Sequence, residues 1–156
     1  MERVFAGLPE TLRICGFHTL KTSAEDENGD PIRICPLGTV RGEGDSLLGW
    51  CSNRVCKTVP GAFERWIPVL REPGDLMVLD EIGTMESASP AFMEEILRLL
   101  DGDTPVLAYV RDMDTPFLRR VRGHGRAVCL DLEKLGTERT ALLALESVRQ
   151  ALKERL

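Results

Sequence analysis

The sequence predicts an α/β fold, a mostly parallel sheet with helices on both faces in a three-layer arrangement, preceded by an N-terminal β-hairpin. Three observations carry this expectation. Leu76-Met77-Val78-Leu79 is a continuous run of large apolar residues, as a strand covered on both sides requires. A second apolar run, Val106 to Val110, follows it after a segment with helical spacing, and strands alternating with helices imply parallel crossovers. Finally, 156 residues suffice for one domain with a substantial core and fall short of two ordinary ones, so residues 1–156 are read as a single domain.

In chain order, residues 2–8 read as the end of an amphipathic helix with Val4, Phe5 and Leu8 on one side, or alternatively as a short strand, and Pro9 breaks what precedes it. Arg13 to Thr22 and Pro31 to Val40 read as two strands. The polar stretch Ser23 to Asp30 joins them, and its Asn-Gly and Gly-Asp pairs readily supply a positive φ, so a hairpin is expected. Arg41 to Thr58 is rich in Gly, Ser and charge without a sustained period, which marks it as the candidate for a mobile loop over a site. Gly61 to Leu70 is a short helical segment ended by Arg71-Glu72-Pro73-Gly74-Asp75, ahead of the buried strand 76–80. Ser89 offers an N-cap and Pro90 fits the first helical position; Phe92, Ile96, Leu99 and Leu100 then recur at helical spacing until Gly102. Thr115-Pro116 starts a short basic helix, Ala127 to Leu132 is expected as a further strand, and Leu142, Leu145, Val148 and Leu152 line a terminal helix.

Composition narrows the function. Twenty Lys and Arg against 25 Asp and Glu leave a net charge of -5, with neither the basic footprint of a nucleic-acid binder nor a polybasic membrane segment. The N-terminus does not read as a signal peptide, and no apolar run approaches the ~20 residues of a membrane span, so the expectation is a soluble, cytoplasmic protein with no nucleic-acid or membrane partner. The five cysteines, Cys15, Cys35, Cys51, Cys56 and Cys129, are read as reduced thiols. Cys51 and Cys56 form one close pair, but no second pair completes a tetrahedral zinc site.

The apolar run 76–79 delivers two adjacent carboxylates, Asp80 and Glu81, to the end of its strand. This is the Walker B arrangement of a P-loop NTPase, in which the first acid holds Mg²⁺ and the second polarises the water attacking the γ-phosphate. The continuation sharpens the reading. Asp80-Glu81-Ile82-Gly83-Thr84-Met85-Glu86, followed by Ser89-Pro90-Ala91-Phe92, resembles the Asp-Glu-Ile-Gly-Lys-Met-Glu and Ser-Pro-x-Phe segments of the thermophilic-type nucleoside-triphosphatase family. Gly16-Phe17-His18-Thr19, Phe63-Glu64-Arg65 with Pro68-Val69-Leu70, Pro105 to Ala108 and Thr115 to Leu118 match further pieces in the family's order, so the resemblance covers roughly residues 13–135.

The resemblance implies Mg²⁺ coordination by Asp80, water activation by Glu81, and a nucleoside triphosphate as substrate. Glu86 also matches a family position, although an acid near a helix start equally suits the helix dipole. Arg111, at the end of the strand 106–110, lies on the side of the sheet where α/β folds bind ligands and is the candidate to reach a γ-phosphate; the competing reading is a solvated loop arginine. His18 and His124 show no partner spacing for nucleophilic or metal work. Two positions depart from the family: Thr84 stands where lysine is usual, and Gly136-Thr137-Glu138-Arg139 replaces an Asn-Arg-Asp-like segment.

No Gly-x-x-x-x-Gly-Lys-Ser/Thr loop occurs in the 156 residues, so the nest of backbone amides and the lysine that cradle phosphates have no counterpart. In the family that loop follows a central first strand, which is then missing or replaced here, as an N-terminal truncation would leave it. Its absence would open a slot between Leu76–Leu79 and Val106–Val110, to be closed by rearrangement, by Arg3 to Ala6 as a substitute strand, by another polypeptide or by an upstream segment. Self-association, or a partner chain completing the sheet, is expected accordingly. The leading function is Mg²⁺-dependent hydrolysis of a nucleoside triphosphate once a phosphate loop is supplied, the chain alone being inactive. The competing function is a non-catalytic descendant serving as a binding or scaffolding subunit. A divalent-metal phosphohydrolase using Asp80, Glu81 and Glu86 is weaker, because the His and Asp ligands of a two-metal site are not in evidence.

Overall fold

The computed structural model describes residues 1–22, 27–37, 46–52 and 55–155. A short helix α1 (Glu2–Phe5) leads to strand β1 (Ile14–Lys21), which pairs antiparallel with β2 (Asp30–Pro36) as the expected hairpin. Ser46–Ser52 and Val55–Thr58 then form β3 and β4. This corrects the reading of 41–58 as a loop. Leu48 is buried in the core, and Gly49 lets β4 approach so closely that an added Cβ would lie 1.9 Å from the Lys57 carbonyl oxygen. Residues 41–45, 53 and 54, from the same expected loop, lie outside the described residues.

A 3₁₀ turn (Glu64–Trp66) runs into α2 (Ile67–Leu70), then come β5 (Leu76–Ile82), a second 3₁₀ turn (Met85–Ala88) and α3 (Pro90–Asp101). The Ser89 hydroxyl caps α3 by accepting the Phe92 N–H, with Pro90 in the first turn and Gly102 past its end, so the N-cap and stop read from the sequence both operate. β6 (Val106–Val110), α4 (Pro116–Arg122), α5 (Leu132–Leu135) and α6 (Thr137–Glu154) complete the chain.

Among the described residues six strands form one mixed sheet in the order β4-β3-β2-β1-β5-β6. Its parallel part is β1, β5 and β6, and β2 to β4 extend the hairpin into an antiparallel part. Alternate residues of β5 feed two cores. Met77 and Leu79 face Phe17, Phe63, Phe92, Ile96 and Leu118, where the Phe63 and Phe92 rings sit 5.1 Å apart. Leu76 and Val78 face Val4, Leu8 and Val148 under α1 and α6. These are the three layers that a run apolar on both faces demands.

Three expectations about the sheet change. Met77, Val78 and Leu79 pair directly with Val106, Leu107 and Ala108, so the slot foreseen between these two strands does not exist. Arg3 to Phe5 belong to a helix rather than a substitute strand. Ala127 to Leu132 forms no strand either: Ala127, Val128 and Cys129 are exposed rather than packed, Val128 by 71%, and the Asp131 side chain caps α5 and turns the chain into a helix. Among the described residues the parallel part of the sheet therefore ends at an open outer edge of β6, as the antiparallel part ends at β4. Cys51 and Cys56 are joined by a disulfide rather than reduced, while Cys15, Cys35 and Cys129 are not disulfide-bonded. No helix among the described residues is long and apolar enough to cross a membrane.

Candidate functional site at the end of the acidic strand

The end of β5 is shaped by an irregularity. Asp80 pairs with Tyr109 of β6, yet the next pair is Ile82 with Val110, so Glu81 is the extra residue of a bulge, and a bulge re-aims a side chain at a strand end. The peptide bond between Asp80 and Glu81 is cis. On the other flank Asp80 is in register with His18, and the Glu81 N–H donates to Thr19 Oγ1 at 3.3 Å. Both acids are only partly buried.

Arg111 meets Glu81 directly. Its Nε donates to Glu81 Oε1 at 2.6 Å, and its own backbone N–H donates to the Ile82 carbonyl at 2.9 Å, so the arginine expected near the phosphate end of β6 lies beside the second acid. The sequence did not point to the residue that steadies it. Arg122, at the end of α4, donates from Nη1 to the Arg111 carbonyl (3.1 Å) and from Nη2 to the Met113 carbonyl (3.0 Å), a fork across the loop that carries Arg111. Its helix reads simply as basic, and nothing in the spacing singles out that arginine.

Glu86 is the most deeply buried acid of the segment, 3% exposed, and its Oε2 accepts the Gly83 N–H at 2.9 Å, folding the 3₁₀ turn back on the strand exit. Burial pushes its carboxyl up to about 7; the charge of Glu81 pushes the same way, while bonds from the backbone and the charge of Arg111 pull it down. A Cβ at Gly83 would stand 3.5 Å from Arg111 Cδ and 3.8 Å from Glu86 Oε2, in ordinary contact distance, so Arg111 passes directly over Gly83 and beside Glu86. Thr84 opens the turn without capping it by its side chain. The site thus joins Asp80, Glu81, Glu86 and Arg111. His124 lies elsewhere, with Nε2 3.0 Å from Asp101 Oδ1.

The donor set can be tested against Mg²⁺. Among the described residues no group of three or more His, Cys, Asp or Glu gathers around a common point. Mg²⁺ is commonly bound through one or two carboxylates plus substrate phosphates and water, so the hard oxygens of Asp80 and Glu81, accessible at a strand end, fit an ion that arrives with its phosphates.

Comparison with known proteins agrees with the architecture. The profile of the family described as NTPase matches residues 2–143. The nucleoside-triphosphatase THEP1 of Ignicoccus hospitalis is 38% identical over 120 residues, which cover 70% of this chain and 69% of that protein. The THEP1 of Thermotoga maritima is 30% identical over 60 residues, 38% of this chain and 34% of its own. The crystal structure of THEP1 from Aquifex aeolicus superposes with a TM-score of 0.65 at 22% identity, covering 97% of this chain and 89% of that one, which shows a shared fold.

Proposed function

This chain belongs to the NTPase family, and from that membership we propose that it contributes the acidic half of a site for Mg²⁺-dependent hydrolysis of a nucleoside triphosphate to the diphosphate and phosphate. The observation that carries the reading is the convergence of Asp80, Glu81 and Arg111 at the C-terminal end of the parallel strands β5 and β6, where α/β sheets bind ligands. Asp80 would hold Mg²⁺ directly or through a water, and an ion held there would supply charge neutralisation for the phosphates. Glu81 orients the attacking water and takes its proton. Arg111, tied to Glu81 without substrate, turns to the γ-phosphate, which balances the charge gathering there and frees the Glu81 carboxylate for water.

The cradle for the β- and γ-phosphates comes, in this proposal, from sequence upstream of residue 1 or from another chain, on a strand laid along the outer edge of β6. Among the described residues that edge is unpaired in the sheet order, which supports the placement. The site of action is the cytoplasm, where nucleoside triphosphates and Mg²⁺ are plentiful. A second reading, a binding or scaffolding subunit without catalysis, is favoured by one observation: Thr84 supplies no cation at the turn beside the acids.

Calorimetry and phosphate release separate the two. The 156-residue chain alone is expected to bind Mg-ATP at about 1 mM or weaker, since carboxylates without a nest of amides repel a triphosphate. With a phosphate-loop segment supplied, Glu81→Gln should keep nucleotide affinity and slow turnover about 10²-fold or more, and Asp80→Asn should also weaken the Mg²⁺ dependence. Equal turnover in Glu81→Gln and its parent would remove Glu81 from the mechanism. No turnover in any completed form would leave the scaffolding reading.

A further inference from the structure

Cys51 and Cys56 face each other across the β3–β4 ladder and are joined by a disulfide. Both are only partly buried, whereas two of the three cysteines outside the bridge, Cys15 and Cys35, are buried. The bridge spans a sequence separation of 5, and the chain-entropy benefit of a cross-link grows with the loop it closes, so this one does comparatively little for the unfolded ensemble. Its consequences are local. Cys51 Sγ lies 3.7 Å from Met85 Sδ, which seats the hairpin end on the 3₁₀ turn following the acidic strand. The next residue is Glu86, whose carboxylate holds the Gly83 N–H; Gly83 underlies Arg111, and Arg111 holds Glu81. A continuous line of contacts thus joins the disulfide to the candidate site.

We propose that Cys51–Cys56 is a redox modification site, at which thiol–disulfide exchange with a dithiol unseats the end of the β3–β4 hairpin from Met85 and loosens the turn that carries Glu86. One thiolate of the dithiol attacks a bridge sulfur and breaks the S–S bond, and its second thiol then displaces the mixed disulfide. The protein gains two electrons and two protons as two cysteine thiols, and the dithiol leaves as a cyclic disulfide. The release follows from how little else holds β4. It is a four-residue edge strand with Val55 67% exposed, and short edge strands with few buried side chains open at low cost. In a reducing compartment the dithiol form is the resting one, and oxidation seats the hairpin.

Nucleotide hydrolysis enters none of the readouts, so a negative result here leaves the proposed reaction standing. The chain is oxidised in air, denatured without reductant and alkylated; three thiols are expected to react, and five after dithiothreitol. Hydrogen exchange of the native chain, before and after dithiothreitol, should show roughly tenfold faster exchange at Val55–Thr58 and at residues 85–89 on reduction. The amides of β5 and α3 should stay unchanged, and the effect should reverse on reoxidation. The double variant Cys51→Ser with Cys56→Ser should match the reduced state and ignore dithiothreitol; if it fails to fold, reduction of the unaltered chain still decides. Five reactive thiols in the air-oxidised chain, unchanged exchange at 85–89 on reduction, or an acceleration spread evenly over all amides would overturn the proposal.

Discussion

Glu86 shows how one side chain can tie the candidate site to solution conditions. Its carboxyl is held up to about 7, first by burial, so between the ordinary glutamate range and about 7 the folded chain keeps a proton that the unfolded chain has lost. The stability this lends is complete below the unfolded value, declines as pH rises, and is gone once pH passes through the folded value. Glu86→Gln keeps an oxygen for the Gly83 N–H and removes the titration. The variant should therefore gain on the parent between pH 5 and pH 8, by on the order of 3 kcal/mol, read as the difference of two chemical denaturation curves at each pH. A gap that stays constant over that range would mean that Glu86 is ionised throughout. Asp80 and Glu81 were legible in the sequence because a strand buried on both faces has to end where polar residues begin. The depth of Glu86 was not, since a helix-start acid looks the same whether its carboxylate meets water or a backbone amide. Arg122 was equally hidden, because its partners are carbonyl groups and carbonyls leave no trace in residue identity.

At the scale of elements, the acidic strand is aimed by its neighbour. Gly16 of β1 has φ +121°, and a Cβ there would fall 1.9 Å from the Val78 carbonyl oxygen, inside the β1–β5 pairing that fixes the height of Asp80. Gly16→Ala would break that pairing and strain the backbone together, and should cost several kcal/mol or abolish folding, measured by denaturant midpoint. Ser89→Ala is the milder control. It removes the cap on Phe92 and the 2.6 Å bond to Glu64, and should cost about 1 kcal/mol with the site intact. The same elements show what the sequence could convey. The helix Pro90–Asp101 was legible end to end because its cap, its first-turn proline and its apolar period are local signals. β3 and β4 were missed because their glycine and charged neighbours read as loop, while what lets them pair is the close approach of the Lys57 carbonyl to Gly49, which residue identity does not announce. Ala127 to Leu132 was misread in the opposite direction: its apolar composition suits a strand, but residues 127–129 stay exposed and Asp131 caps the helix that follows, and composition alone does not separate the two outcomes.

At the scale of the whole molecule, the outer edge of β6 is the unresolved term. β6 is an apolar parallel strand, and in an α/β sheet such strands are normally flanked on both sides. Here the sheet order ends on it, Tyr109 is 43% exposed, and Val128 in the segment that failed to become a strand is 71% exposed. Water can satisfy the outward backbone groups, but exposed apolar side chains gain nothing from it, and an unprotected edge of this kind templates pairing with another chain. The isolated chain should therefore self-associate with rising concentration. Tyr109→Lys combined with Val128→Lys should suppress the association in sedimentation velocity without unfolding the sheet, because both positions are exposed and lysine is the common guard of open edges. Supplying a strand for that edge, joined to the chain or as a separate segment, should raise the melting temperature by several degrees, the equivalent of ~1 to 2 kcal/mol in a domain of this size. The two measurements answer together. A chain that stays monomeric at every concentration, and melts at the same temperature with and without the added strand, would mean that β6 is a finished edge and that the phosphate cradle, if there is one, does not enter beside it.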